Sequence, residues 1–486
     1  MTAGKILCSF CLSLSLLTSA TCAKARSGSV EVIFNPNIAT YSIVEYLVAR
    51  KQGQLFYIDG KRDISYLPMA ALANQEMERY DNSQIIKDMQ DYLEVVGQQQ
   101  DLSYQVLLKH DVFPAKGYAY AIEESDPLKK AAAEKFAEQL RKFYVQRNLG
   151  NFFRNQQYFL KGAKDEVRKN IPASYMEKME HYYGEKFMAY RFYINPFDAV
   201  PYSHVFWHGN GPMIRSGKGK IANMISSAYL PLGKKKRTGD YKEFGFNHLE
   251  TTRFLITHEF GHAFVNQYLV PYEERINRSS TLMSEALTDK MGGQGYSYWP
   301  SCVAEHIVRT GEIRIALADG NGSLAGILRD RHIKENYFVL IPDFEKKIQA
   351  YENNREKYKA FKDFIPRLLD VLDETSVKSV RERLHMPVEK YSVTLTVTVP
   401  LNSGDVYITG NQSATGNWNP QKIRLTATGS TTRQITFMTF PDLKFKFTRG
   451  NWQTEGKVSG FAEGQNIEVS VNKNTDFHYT VTRWNP

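Results

Sequence analysis

The chain reads as an α+β protein: a helix-rich domain with a small sheet, followed by an all-β sandwich. Three observations predict this. From Ser29 to about Met386 apolar residues recur mostly at helical spacing. From about Tyr391 the pattern changes to alternation, opening with Ser392-Val393-Thr394-Leu395-Thr396-Val397-Thr398-Val399, whose β-branched residues mark a half-buried strand. At 486 residues the chain exceeds what one hydrophobic core ordinarily serves, and it divides as 1–23, 24–386 and 387–486, with the break near Pro387.

The first segment carries Lys5, an apolar stretch from Ile6 to Leu17 and small residues through Ala23. This is the pattern of a signal peptide, too short to span a membrane, so an exported protein is expected, whether periplasmic, cell-surface or secreted, with no transmembrane span. Ser19-Ala20-Thr21 before Cys22 departs from the lipoprotein cleavage pattern, which makes lipid anchoring at Cys22 the alternative. Cys8, Cys11 and Cys22 all fall in this leader, leaving Cys302 without a partner for an internal disulfide. The net charge is +10, and the run Lys234-Lys235-Lys236-Arg237 between Gly233 and Gly239 reads as a solvated loop. No nucleic-acid partner is expected.

Helical stripes are expected at Ile38–Ala49 and Asn82–Val96, and over Pro127–Phe159, where Ala131, Ala132, Phe136, Leu140, Phe143 and Tyr144 read as packing. The period then shortens at Phe187–Ile194, His204–Trp207 and Ile221–Tyr229, which predicts a small sheet with an edge to which a substrate backbone could pair. The next helix is expected from about Glu250 to Tyr268, starting near Thr251 or Thr252. Ile256, Phe260 and Phe264 form its buried row. The stretch Ala316–Arg383 reads as helical and charged, with no chemistry attached.

That helix carries His258-Glu259-Phe260-Gly261-His262. Residues four apart share a helix face, so both imidazoles can reach one zinc ion while Glu259 stands beside the open coordination position as general base. Catalytic zinc takes a third protein ligand. The metzincin continuation fails, because Val265 and Tyr268 stand where Gly and His would be needed. Two glutamates compete. Glu285 lies four residues before Asp289, which could orient a ligand histidine. Glu305 follows Pro300 on a new helix, where Arg309 would otherwise make it an ordinary surface pair.

His258-Glu259-Phe260-Gly261-His262, Asn266, Tyr296 with Trp299, and Glu305-His306-Ile307-Val308-Arg309 together resemble an uncharacterised family of exported bacterial zincin-like proteins, over about Val30 to Ile315. The resemblance implies a gluzincin-like peptidase fold with Glu305 as third ligand. Tyr296, Arg309, His306 and His248 are then the candidates to stabilise an oxyanion. The expected function is an exported zinc metallopeptidase acting on a protein or peptide substrate. The alternative is a non-enzymatic surface protein that binds glycan or serves adhesion, its zincin domain decayed. A zinc hydrolase of non-peptide amides is a third reading.

After Tyr391, further alternating runs at Asp405–Thr409, Ile423–Ala427, Gln434–Thr439, Leu443–Thr448, Asn466–Val471 and Phe477–Thr482, joined by Gly, Asn and Ser turns, predict an immunoglobulin-like β-sandwich. Asp405–Asn411, Gly416-Asn417-Trp418-Asn419-Pro420 and Phe445–Trp452 resemble the starch- and glycogen-binding β-sandwich modules, which implies a glycan partner. Trp452 is the expected stacking residue and Trp418 is assigned to the core. Thr431-Thr432-Arg433 departs from that family, which places a second stacking aromatic there.

Overall fold

The computed structural model describes residues 28–52, 64–80, 82–96, 100–113, 126–199, 209–216, 219–283, 285–292, 294, 296 and 298–485. The leader expected at 1–23 and the strand expected at His204–Trp207 lie outside the described residues.

The architecture is mixed α+β, with helices dominating to Arg383 and strands taking over at Tyr391. Helix Pro36–Lys51 begins at Asn35, whose side-chain oxygen accepts from the amides of Asn37 and Ile38 at 2.8 and 3.1 Å. These are donors that the helix itself leaves unpaired. The stripe expected to run unbroken from Pro127 to Phe159 is instead three helices, Pro127–Gln146, Leu149–Asn155 and Gln157–Asn170. The break falls at Asn148, whose φ of 52° is the left-handed conformation that asparagine tolerates.

The first sheet joins β1 (Val30–Phe34), β2 (Ala189–Asn195) and β5 (Gly219–Ser227) in parallel, with Val32 beside Phe192 and Phe192 beside Met224. Two short strands, β3 (Gly209–Asn210) and β4 (Met213–Ser216), run antiparallel along the free side of β5. Nothing in the spacing of Val30–Phe34 had predicted β1. It is five residues long, and its partner lies far along the chain.

Helix Leu249–Leu269 packs on this sheet. Ile256, Phe260 and Phe264 are fully buried, as their spacing predicts. Phe260 meets Tyr190 of β2 edge-on at 5.5 Å, and Phe264 stacks on Tyr183 at 4.4 Å. Its N-cap is His248 rather than a threonine: the His248 Nδ1 accepts from the Thr251 amide at 3.2 Å. A second long helix, Trp299–Ala318, with Pro300 in its first turn, lies against it.

The carboxy-terminal strands form two sheets, one ordered Gly456–Val458, Thr475–Trp484, Tyr391–Thr398, Thr432–Thr439, Thr426–Ala427 and the other Ile467–Ser470, Asp442–Thr448, Tyr407–Gly410, Ile423–Arg424. Val393, Leu395 and Val397 of β6 (Tyr391–Thr398) share a core with Leu443, Phe445 and Phe447 of β11 (Asp442–Thr448), all fully buried. Trp418 is not part of that core. It is half-buried at a φ of 59°, with its ring 6.5 Å from that of Trp452. The helical and β portions are clasped by Arg381, which is 1 % exposed. Its guanidinium donates to the Pro387 carbonyl at 2.7 Å and to Asp442, and lies over Phe440.

Candidate metal centre

His258 and His262 stand one turn apart, with their Nε2 atoms 3.3 Å from each other. Glu305, on the second helix, reaches both: Oε1 is 3.4 Å from His258 Nε2 and Oε2 is 3.2 Å from His262 Nε2. One ligand atom from each residue lies within 4.8 Å of the other two. Residue 261, where the second helix passes, is glycine, and a Cβ there would sit a tight 3.1 Å from the Val308 side chain. Four-coordinate zinc with nitrogen and oxygen ligands at about 2.0–2.2 Å spaces its donors by roughly 3.3–3.5 Å, close to the separations here.

The remaining ring nitrogens are engaged. His258 Nδ1 is 2.6 Å from Glu312 Oε1 and His262 Nδ1 is 3.2 Å from Asn266 Oδ1. Both acceptors require the proton on Nδ1, so each Nε2 turns a lone pair toward the other and toward the Glu305 carboxylate. Three acceptors therefore converge, and a proton or a cation must sit among them. Burial disfavours protonating His262, but the hydrogen bond and charge of Glu305 outweigh it and push its pKa up to about 9. Burial likewise opposes ionising Glu305, but Arg309 and the two histidines hold it well below the usual carboxylate range.

Supporting residues close the arrangement from behind. Phe254 stacks on the His258 ring at 5.6 Å. Glu312, 3 % exposed, bridges His258 to His332, whose Nε2 is 2.8 Å from Glu312 Oε2. Burial would raise the Glu312 carboxyl, but its two histidine neighbours draw it down to about 2. Neither Glu312 nor His332 was anticipated. A signal existed for Glu312: Glu305, Arg309 and Glu312 recur at i, i+4 and i+7, which places three charges on one face of the helix. His332 belongs to the stretch that had been left without chemistry. Glu285 opens the helix Glu285–Gly292, but its side chain and that of Asp289 lie outside the described residues.

The four expected oxyanion stabilisers take different places. Tyr296 is half-buried, with its ring 5.8 Å from that of Phe338 and its hydroxyl under the influence of the charges on Glu305 and Arg309. Arg309 is no surface residue: it is 9 % exposed, and its Nη2 lies 2.7 Å from Glu305 Oε1. His306 turns away, its Nδ1 2.8 Å from the Cys302 carbonyl and its ring against Phe338, where burial pushes its pKa down to about 4. His248 caps the helix ten residues before His258, about 15 Å along the axis, out of reach of the cluster.

Glu259 is buried beside the ligands, and the sheet edge presses on its backbone. A Cβ at Gly211, between β3 and β4, would lie 2.0 Å from the Glu259 carbonyl oxygen. Only glycine permits that approach. Gly211→Ala is expected to cost about 1–3 kcal/mol through overpacking, read as a lower urea midpoint at unchanged slope.

A mixed α+β chain with a buried His-His-Glu cluster shared by two packed helices has a centre that could hold a metal ion. The chain belongs to the family described as a domain of unknown function (DUF4932), whose model matches residues 117–371. The match covers every residue of the cluster and its supports. It extends beyond Ile315, where the expected resemblance stopped, begins well after Val30 and ends before the β-sandwich. No curated protein matches the chain. Among the described residues, no helix is long and apolar enough to cross a membrane.

Proposed function

We propose that this chain is an exported, zinc-dependent metallopeptidase of gluzincin-like design, with His258, His262 and Glu305 as zinc ligands and Glu259 as general base. The observation that carries the reading is the convergence of two imidazole nitrogens and the two oxygens of one carboxylate, at 3.2–3.4 Å, with both Nδ1 protons already committed elsewhere. Bound zinc would supply a Lewis acid and lower the pKa of a water. Glu259 takes the proton of the attacking water on its carboxylate and returns it to the leaving amine. Tyr296 is the best placed of the four candidates to donate to the oxyanion, since its hydroxyl already faces a ligand. The free side of the sheet, at β3 and β4, offers a backbone against which an extended peptide can lie. Export rests on the pattern of residues 1–23.

Metal analysis of the purified chain, run with a casein and peptide-library digest beside a glycan-amide screen, tests this. Stoichiometric zinc with peptide cleavage supports it. Cleavage of amides on glycans alone moves the substrate class, and a chain that takes up no zinc favours the decayed, non-enzymatic alternative.

A glycan partner for the β-sandwich is supported by Trp418 and Trp452, neither of them buried, with rings inclined at 34°. Exposed indole faces are suited to stacking on sugar rings. Trp452→Ala is expected to abolish retention on insoluble starch while leaving peptide hydrolysis unchanged. Equal retention of variant and wild type would remove the glycan reading.

A further inference from the structure

The metal ligands are joined behind the site by a buried run of three hydrogen bonds and one ion pair, with His332 at its middle. Arginine can only donate, and Arg309 Nη1 lies 3.2 Å from His332 Nδ1, so that nitrogen is the acceptor. The ring proton must then sit on Nε2, which faces Glu312 Oε2 at 2.8 Å. The other Glu312 oxygen is 2.6 Å from His258 Nδ1 and takes the proton there, which leaves His258 Nε2 bare on the side of the cluster. At the opposite end, Arg309 Nη2 meets Glu305 Oε1 at 2.7 Å. The run Glu305, Arg309, His332, Glu312, His258 thus begins and ends on a ligand. His332 is fully buried, and Phe338 covers the run, with the Arg309 guanidinium 4.7 Å above its ring.

His332 is held on a single π-helical turn, Arg331–Glu335, between the helix Gly322–Asp330 and a turn closed by the Phe338 amide donating to the His332 carbonyl at 2.9 Å. Such turns are rare and concentrate at functional sites. Here the distortion accompanies a side chain that must meet two partners on another helix at once.

We propose that His332 is a positioning residue: it locks Arg309 and Glu312 in register, and through them fixes the orientation of Glu305 and the tautomer of His258, so that both present lone pairs to one cation. This rests on the metal-binding part of the function proposed above, not on the identity of the substrate. Partners behind metal ligands commonly change affinity by about 10–100-fold when removed.

The test uses the full chain with His332→Phe and His332→Gln. Phenylalanine keeps the ring but neither polar atom, whereas the glutamine carbonyl can accept from Arg309 and its amide can donate to Glu312. Zinc affinity is measured by chelator competition and folding by circular dichroism. The protonation of His332 in the metal-free wild type is read from nitrogen NMR of histidine-labelled protein. A folded Phe variant about 10–100-fold weaker for zinc, with the Gln variant near wild type, supports the proposal, as does a His332 protonated on Nε2 alone. A folded Phe variant with wild-type affinity overturns it. So does a wild-type His332 carrying its proton on Nδ1, a result that stands even if the Phe variant fails to fold. Wild-type protein that binds zinc yet cleaves no peptide sinks the peptidase reading alone.

Discussion

Glu259→Gln is expected to retain zinc at the wild-type level while losing peptide hydrolysis by about 10²- to 10⁴-fold, the usual contribution of a positioned general base. The two outcomes separate because Glu259 is not one of the three residues, His258, His262 and Glu305, whose ligand atoms lie within 4.8 Å of one another. The amide is nearly isosteric with the carboxylate, so the buried position beside the Gly211 contact stays filled, and what disappears is the ability to take a proton. The measurement is metal content and turnover on the same preparation. Wild-type turnover in the variant would remove the mechanism.

Glu305→Ala is expected to empty the site, while Glu285→Ala leaves zinc content unchanged. The Glu305 carboxylate touches both imidazoles, is 2 % exposed and is charge-paired with Arg309. Its removal takes the one carboxylate out of the cluster found among the described residues and strands a buried guanidinium, so the variant should also unfold at lower denaturant. His262→Ala, by contrast, removes a ligand without orphaning a charge. Zinc analysis of the Glu305 and Glu285 variants side by side decides the third ligand, and retained metal in Glu305→Ala would displace Glu305 from that role.

How much was legible in advance follows from the range of the interactions. The helix bearing His258 and His262 could be read from its own residues, because the buried row at 256, 260 and 264 and the ligand pair at 258 and 262 are both set by helical periodicity. The alternation at Val393, Leu395 and Val397 was equally local. Spacing alone could not choose between Glu285 and Glu305, since the choice depends on how two helices cross, which involves contacts distant in sequence such as Gly261 against Val308. The strand at Val30–Phe34 escaped notice because it is stabilised by a partner about 160 residues away. Glu312 and His332 were invisible as a pair for the same reason: each looks like an ordinary charged or polar residue until the fold seals them together.

The Arg381 clasp limits where this protein can be cut. A fragment ending at Met386 keeps the guanidinium and surrenders its carboxylate, its aromatic cover and the Pro387 carbonyl, so the contact they make would be lost and the surface beneath opened to water. Dissecting the helical portion from the sandwich by truncation would therefore confound a lost function of the sandwich with lost stability, and point substitution is the cleaner scalpel.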